Sequence, residues 1–261
     1  MTRIPLTKRD LGQHFLADEN ILGVIGRLAD LRAADVVLEV GPGLGVLTVY
    51  LADRVTLVHS IELDRSLEPH LSAALGERRN VELVFGDALA VDLAALEPPP
   101  TKLVSNLPYA IATPLVVETL ERVPALRAWC VMVQREVADR FFAAPRTKAY
   151  GAVSVLVQLA AERTGFHPVA RTVFRPPPNV DSALVAFRRR PLPSSYADTK
   201  ALVEAAFAHR RKTLPNSVSL AGLASRTDAE AALAAIGRNA ATRAEALAPE
   251  EFVALSAALR G

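Results

Sequence analysis

The chain has 261 residues, of which 51% are hydrophobic and 22% are charged, the composition of an ordinary globular protein. The formal net charge of +2 is too small to indicate nucleic-acid binding by itself. A single cysteine, Cys130, excludes an intrachain disulfide, and its apolar surroundings in the sequence predict a buried small side chain. No apolar stretch reaches the length of a transmembrane helix, and residues 1–10 lack a signal-peptide pattern, so we expect a cytoplasmic protein without membrane contact.

Strands and helices alternate along the first half of the chain. An N-cap signal at Asp18–Asn20 precedes a helical pattern, and short, nearly continuous apolar runs then predict strands buried on both faces. These runs are Val36–Val40, Thr56–Leu63, Val81–Phe85, Lys102–Ser105 and Trp129–Val133. The predicted helices between them include Val46–Asp53, Ser66–Leu75 and Pro114–Glu121. The pattern predicts an α/β fold, a parallel sheet with helices on both sides.

The last third of the chain has a different character. A predicted strand at Ala183–Phe187 is followed by a Pro- and Ser-rich linker at 191–195, and then by three Ala-rich helical segments. These segments are Lys200–His209, Asp228–Ile236 and Pro249–Leu259. Residues 181–261 carry 11 Lys and Arg against 8 Asp and Glu, whereas residues 1–180 carry 19 against 20. We place a domain boundary near residue 190, with an α/β domain at 1–190 and a small, more basic all-helical domain at 191–261.

Polar signals follow the strands in succession. The first strand runs into the glycine turn Gly41-Pro42-Gly43, the strand–turn–helix opening of a nucleotide-binding domain. Glu62 ends the next strand, where such folds place a ribose-binding acid, and Asp87 follows the third strand, where it can accept from an adenine amine. Either acid alone is more simply a solvated strand end. Together with glycines that allow close backbone approach, they predict an adenosine-containing cofactor.

The glycine turn also distinguishes between cofactors. A dinucleotide needs free backbone N–H groups at the helix N-terminus for its pyrophosphate, but Pro42 has no N–H. Val46 occupies the third glycine position of the dinucleotide pattern. S-adenosylmethionine carries no phosphate and fits this turn better.

The fourth strand ends in Asn106-Leu107-Pro108-Tyr109, which indicates the reaction. The exocyclic amine of a base is a poor nucleophile because its lone pair is delocalised into the ring. The Asn106 side-chain carbonyl and the Leu107 backbone carbonyl can accept its two hydrogens, with Pro108 fixing the backbone and Tyr109 stacking on the base. A sulfonium is an excellent leaving group, so we expect no metal. A simple Asn-x-Pro turn is the plainer interpretation, and the position at a strand end argues against it.

Motifs spread over nearly the whole chain resemble those of the ribosomal RNA adenine N6,N6-dimethyltransferases. They are Leu11–Leu16, Gly41–Gly43, Ile61–Asp64, Gly86–Ala88, Asn106–Tyr109, Gln134–Ala138, Tyr150–Gly151, Phe174–Ser182 and Phe207–Thr213. The last of these is similar to the members that act on the small subunit, rather than to those that methylate large-subunit RNA.

This resemblance implies roles that spacing alone does not assign. His14 and Leu16 would flank S-adenosylmethionine, and Gly41 and Gly43 would contact it. Glu62 would hold its ribose and Asp87 its adenine, while Asn106 would touch both the cofactor and the target amine. Phe174 would be a second aromatic wall for the target adenine, beside the motif of Asn106, Leu107, Pro108 and Tyr109. The implied reaction is the dimethylation of two adjacent adenosines near the 3′ end of small-subunit (16S) rRNA. The implied partner is the assembling 30S subunit, and the protein would be a monomer.

Two basic clusters are candidates for RNA contact. Arg210, Arg211 and Lys212 lie in a motif of the resemblance and in the more basic segment, so we predict that they bind RNA. Arg188–Arg190 fits RNA contact and a solvated strand exit equally well. Pro215 departs from the family pattern and predicts a helix break after the first cluster.

Three other functions remain as alternatives. They are methylation of large-subunit RNA of the antibiotic-resistance type, a noncatalytic ribosome-assembly factor with the same fold, and a nicotinamide-dependent oxidoreductase.

Overall fold

The computed structural model describes residues 14–209 and 211–260. The chain divides into two compact units. The first unit runs to Ala138 and resumes over Glu162–Arg189, and the second takes Asp139–Ala161 and the chain from Arg190 onward. In these described ranges no helix combines the length and apolar character needed to cross a bilayer.

Strands and helices follow one another much as the apolar runs predict. The strands are β1 (Phe15–Leu16), β2 (Val36–Val40), β3 (Leu57–Glu62), β4 (Val81–Phe85), β5 (Lys102–Asn106), β6 (Ala128–Gln134), β7 (Ala161–Val169), β8 (Phe174–Arg175) and β9 (Ser182–Arg189). The helices are α1 (Asn20–Leu28), α2 (Val46–Ala52), α3 (Glu68–Leu75), α4 (Ala112–Arg122), α5 (Arg135–Phe141), α6 (Ala152–Ala160), α7 (Tyr196–Phe207), α8 (Leu214–Leu220), α9 (Arg226–Ala235) and α10 (Pro249–Ala258).

Seven strands of the described residues form one sheet in the order β4-β3-β2-β5-β6-β9-β7. The strands from β4 to β6 are parallel, which confirms the α/β prediction. The predicted strand Ala183–Phe187, to which the pattern assigns no direction, lies within β9, and β9 pairs antiparallel with β6, from Ala128 opposite Arg188 to Gln134 opposite Ser182. An apolar run indicates burial but not direction, so the sequence pattern could not distinguish the two arrangements.

Alternate residues of the central strands form one apolar layer. Val37, Val58, Val104 and Cys130 are buried in a cluster that α1 and α2 also enter. Burial raises the pKa of the Cys130 thiol to about 12, so this residue is a buried small hydrophobe, as predicted, and not a nucleophile.

The second unit has its own aromatic core. Phe207 on α7 packs edge-on against Tyr150, with 6.1 Å between the ring centroids. It also packs against Phe252 on α10 in a tilted arrangement, with 5.9 Å between the centroids. The buried Tyr150 hydroxyl donates to the Leu247 carbonyl at 2.7 Å. The predicted boundary near residue 190 matches one junction, but the segment Asp139–Ala161, which we predicted in the first domain, belongs to the second unit because of such contacts.

Candidate active site

The carboxyl ends of β2, β3 and β5 meet at one edge of the sheet, and a cavity opens there within the first unit. It is lined by the predicted residues His14, Leu16, Gly41, Gly43, Glu62, Asn106, Leu107, Pro108 and Tyr109, and also by Phe15, Glu39, Pro42, Leu44, Val46, Leu47, Leu63 and Leu67. Parallel strands bring separate sequence motifs together in this way, because their carboxyl ends share an edge. The structure therefore gathers nine of the predicted site residues around one space.

The glycine turn packs closely against two other motifs. Gly41 has a φ of +76°, and a Cβ on it would lie 3.0 Å from Cγ of Pro108. Gly43 has a φ of +59°, and a Cβ on it would lie 3.0 Å from the Phe15 ring. Both positions combine a left-handed backbone with a contact tighter than most Cβ atoms make, so a side chain there would be strained. The turn therefore brings the β2 end, the β5 motif and the β1 strand into direct contact.

Glu62 is held at the cavity wall by backbone donors. Its Oε2 accepts from the Gly43 N–H at 3.1 Å, and its Oε1 accepts from the Asp64 N–H at 2.9 Å. Burial raises the pKa of this carboxyl, and the two N–H donors partly oppose that change. Each carboxylate oxygen keeps a further lone pair, so Glu62 can still accept from the hydroxyls of a ribose. Leu63, 58% exposed, adds an apolar surface beside it that sequence reasoning missed.

Asp87 lies next to the cavity but does not line it. The neighbouring Gly86 N–H donates to the Glu62 carbonyl at 2.9 Å, which places this turn beside the β3 end. The Asp87 side chain is exposed, and its Oδ1 accepts from the Leu89 N–H at 2.9 Å. Its second oxygen is thus available at the edge of the site, and its role toward an adenine amine remains a prediction.

The β5 motif is positioned by contacts on both sides. The Asn106 side-chain N–H donates to the His14 carbonyl at 3.4 Å, and the Leu107 N–H donates to the Met132 carbonyl at 3.1 Å. Tyr109 shares a hydrogen bond of 2.7 Å with Ser182 at the start of β9, and burial raises the pKa of its hydroxyl. The Tyr109 ring lies 5.9 Å from the His14 ring, with 34° between their planes.

Phe174 does not reach the cavity. It is opposite Leu16 in the two-stranded β1–β8 sheet, and it is only 2% exposed within the same apolar cluster as α1 and α2. The contact with a target base that we predicted for Phe174 therefore has no support in this arrangement, in which the ring serves as core. Tyr109, which is half-buried at the cavity, is the aromatic residue of the motif that a base can reach.

Glu39 is a site residue that sequence reasoning missed. It sits within β2, fully buried, and lines the floor of the cavity. Burial raises the pKa of its carboxyl to about 7, although the hydroxyls of Thr48 and Ser60 oppose the shift, with Ser60 donating at 3.1 Å. An acid in the middle of an apolar strand was the available signal, because a buried carboxyl without a cation is rare in a core.

The predicted RNA-binding cluster lies between α7 and α8. Arg210 lies outside the described residues, while Arg211 and Lys212 are exposed in the turn between the two helices. The predicted helix break at Pro215 is wrong in position, because α7 already ends at Phe207, before the cluster, and Pro215 lies in the first turn of α8, where a proline is tolerated.

The other basic cluster is largely used by the fold. The Arg189 guanidinium donates to the carbonyls of Leu120, Leu126 and Val123 at 2.6–2.9 Å, at and just beyond the end of α4. Arg188 forms an ion pair with Glu162. For these two residues the arrangement favours a structural role over RNA contact.

Comparison with known proteins identifies the family. The family model described as ribosomal RNA adenine dimethylase matches residues 5–260. The chain belongs to this family. It is 50% identical to ribosomal RNA small subunit methyltransferase A of Rubrobacter xylanophilus, over 97% of this chain and 95% of the relative. It is 45% identical to the protein of that name from Kineococcus radiotolerans, over 95% of this chain and 85% of the relative.

Two solved structures of related methyltransferases have a similar fold. A dimethyladenosine transferase from Plasmodium falciparum has a TM-score of 0.78 at 25% identity, covering 93% of this chain and 96% of that one. The 23S rRNA methyltransferase ErmE has a TM-score of 0.68 at 32% identity, covering 95% and 100%. The chain is therefore an S-adenosylmethionine-dependent rRNA adenine methyltransferase. The cavity can take this cofactor, because Glu62 on its wall is a buried carboxylate with lone pairs left to accept from hydroxyls, and the glycine turn adds no side chain to the space.

Proposed function

We propose that this protein transfers methyl groups to N6 of two adjacent adenosines near the 3′ end of small-subunit rRNA, within the assembling small subunit. The supporting relatives are those named for the small subunit, at 45–50% identity over nearly the full chain. The observation that carries the proposal is the position of Asn106–Tyr109 at the same cavity as Glu62 and the glycine turn. A base amine and a methyl donor can therefore meet between two neighbouring strand ends.

The residues of this chain act on the amine rather than on the donor. S-adenosylmethionine supplies a methyl group on a positively charged sulfur. The Asn106 Nδ2 donates to the His14 carbonyl, which leaves its Oδ1 to accept one hydrogen of the target amine. The Leu107 carbonyl accepts the other, and the two contacts favour a localised lone pair on nitrogen. Tyr109 holds the base by stacking, so the amine is aligned for attack.

The second unit of the chain is proposed to contact the ribosomal substrate. Arg211 and Lys212 are exposed cations in a turn of that unit, and we include Arg210 on the strength of the motif. Replacing all three by Ala should weaken RNA binding and flatten its salt dependence, since each phosphate contact releases counterions. An unchanged salt slope would remove the cluster from the interface.

One experiment separates the proposed substrate from its alternatives. Purified small and large ribosomal subunits, both lacking the modification, are incubated with the enzyme and a labelled methyl donor, and the modified nucleotides are mapped. We expect dimethyladenosine at two adjacent positions of the small subunit only. Labelling of the large subunit instead would indicate the activity named for ErmE, and labelling of neither would indicate a noncatalytic assembly factor.

Two further properties follow from the proposal. Calorimetry should detect S-adenosylmethionine binding and no tight binding of NAD. Light scattering during gel filtration should give the mass of a monomer, and fractionation should find the protein with cytoplasmic ribosomes.

A further inference from the structure

The segment 175–181 runs from the last residue of β8 to the residue before β9, and residues at both of its ends contact residues that line the cavity. At one end Arg175 pairs with Phe15 in the two-stranded sheet, and the Pro176 carbonyl lies 2.8 Å from Nδ1 of His14. At the other end Ser182 shares a hydrogen bond with Tyr109. Most of the segment is exposed, so it forms an outer rim beside the residues that would hold the target base.

Arg175 stands out on this rim as a cation that the fold does not use. Within the described part of the chain its guanidinium has no ion pair or hydrogen bond, although the nearby Arg171 pairs with Asp181 at 3.2 Å. Directly opposite residues of an antiparallel pair project from the same face, so Arg175 shares a face with Phe15. Phe15 lines the cavity while Arg175 does not, which places the guanidinium beyond the cavity rather than inside it.

The same rim presents an exposed apolar side chain. Val180 is 46% exposed, one of the few large hydrophobic residues of the described chain to be so accessible. Proteins that bind single strands combine cations for the phosphates with side chains, most often aromatic, that pack against the bases. Arg175 and Val180 supply an exposed cation and an exposed apolar side chain on one segment. An oxyanion of the cofactor is the other anion near the site, but it belongs inside the cavity, which Arg175 does not line.

We propose that Arg175 binds a backbone phosphate of the RNA strand next to the target adenosine, and that Val180 contacts a flanking base. This proposal rests on the proposed function in one respect: it takes the polyanion that Arg175 binds to be the RNA substrate. It assigns to the rim the task of holding the strand while Asn106 and Tyr109 hold the base.

The test compares Arg175→Gln with Arg79→Gln. Arg79 is also exposed and has no charged partner in the described chain, but it precedes β4 at the opposite end of the sheet. Binding of a single-stranded oligoribonucleotide containing adjacent adenosines is measured from low to high salt. We expect Arg175→Gln to lower the salt slope by about 0.7, the value for one phosphate contact on a single strand, and to weaken binding roughly fivefold. Arg79→Gln should change neither, and Arg175→Lys should restore most of the slope.

The outcomes also separate this proposal from the assignment of substrate. If the affinity for RNA falls with salt at the same slope in wild type, Arg175→Gln and Arg79→Gln, then Arg175 does not bind a phosphate and the proposal is overturned. Weaker S-adenosylmethionine binding in Arg175→Gln, with RNA binding intact, would overturn it too, because the guanidinium would then hold the cofactor. Failure of the wild type to methylate small subunits would instead contradict the proposed function, and it would leave the binding measurement readable because that measurement involves no catalysis.

Discussion

The two ends of the central sheet use polar residues in opposite ways. At the amino end, Lys102 and Asp35 pair at 2.8 Å with each side chain only 12% exposed, and the Thr101 hydroxyl donates to the Val36 carbonyl at 3.1 Å. At the carboxyl end, the Asn106 side chain makes one long hydrogen bond of 3.4 Å within residues 14–209 and 211–260, and it stays half-buried beside a cavity. Polar groups at the amino end therefore complete the fold, whereas those at the carboxyl end keep bonding capacity for ligands.

Arg189 extends the comparison, because β9 runs antiparallel and its last residues lie at the amino end. Its guanidinium is saturated by carbonyls at the end of α4 and lies over the Trp129 ring, 5.1 Å from its centroid. A basic residue at this end is thus structural even in a protein that binds RNA. Position relative to the sheet, rather than residue type, separates the two uses.

The largest expected effect is that of Asn106→Ala at the carboxyl end. Losing the side-chain acceptor should lower the methyl-transfer rate by about 10³-fold, as for other lost transition-state hydrogen bonds. The affinity for RNA should change little. Single-turnover methylation of unmodified small subunits measures the rate, and more than a tenth of wild-type activity would contradict the assigned role.

Lys102→Ala should have the opposite signature at the amino end. It leaves Asp35 largely buried without its cation, which should cost about 3 kcal/mol of the free energy of unfolding. The methyl-transfer rate of the folded fraction should stay near wild type. Urea unfolding and an activity assay at low temperature measure the two quantities, and the double variant Lys102→Met with Asp35→Leu should recover stability. If Lys102→Ala lost much of its methyl-transfer activity while its stability stayed near wild type, the amino end of the sheet would not be purely structural and the comparison of the two ends would be wrong.

Much of this arrangement could be predicted from the sequence because it depends on local patterns. The strands Val36–Val40 and Val81–Phe85 were placed to the residue, since buried parallel strands are short apolar runs between a turn and a helix. The cavity was predicted from strand-end motifs, because parallel strands bring their carboxyl ends to one edge. Both predictions used only patterns formed by residues that are close together in the sequence.

What could not be predicted depended on distant contacts. The strand β7 reads as polar, with Glu162, Arg163 and Thr164 on an edge, so no apolar run marks it. Phe174 is buried because it lies opposite Leu16, a long-range pairing that the local sequence does not show. The apolar strand around Glu39 indicates that the residue is buried, but its position at the cavity depends on strand ends that are distant in the sequence.

Glu39→Gln tests how much the buried Glu39 carboxyl at the carboxyl end of the sheet lowers the free energy of unfolding at neutral pH. The folded pKa of about 7 exceeds the ordinary value of 4.5 for a glutamate, so the folded state binds this proton more tightly than the unfolded state. The contribution to stability is therefore full below pH 4.5 and is lost as pH rises through 7. The free energy of unfolding of Glu39→Gln minus that of wild type should increase on the order of 3 kcal/mol between pH 4.5 and 8. Urea titrations at several pH values measure it, and a constant difference would mean that Glu39 keeps an ordinary pKa.

Ser182→Ala is expected to have the smallest effect and tests the carboxyl end most finely. Ser182 is fully buried, and its only described side-chain partner is the Tyr109 hydroxyl at 2.7 Å, so the substitution frees the tyrosine ring without opening the core. We expect a decrease in kcat of about fivefold, the worth of one neutral hydrogen bond, with little change in KM for cofactor. Tyr109→Phe removes the same bond while keeping the ring, and the double variant should lose no more than either single variant if both act through it. Additive losses would instead mean that the serine and the tyrosine contribute separately, and the ring would then owe its position to His14 alone.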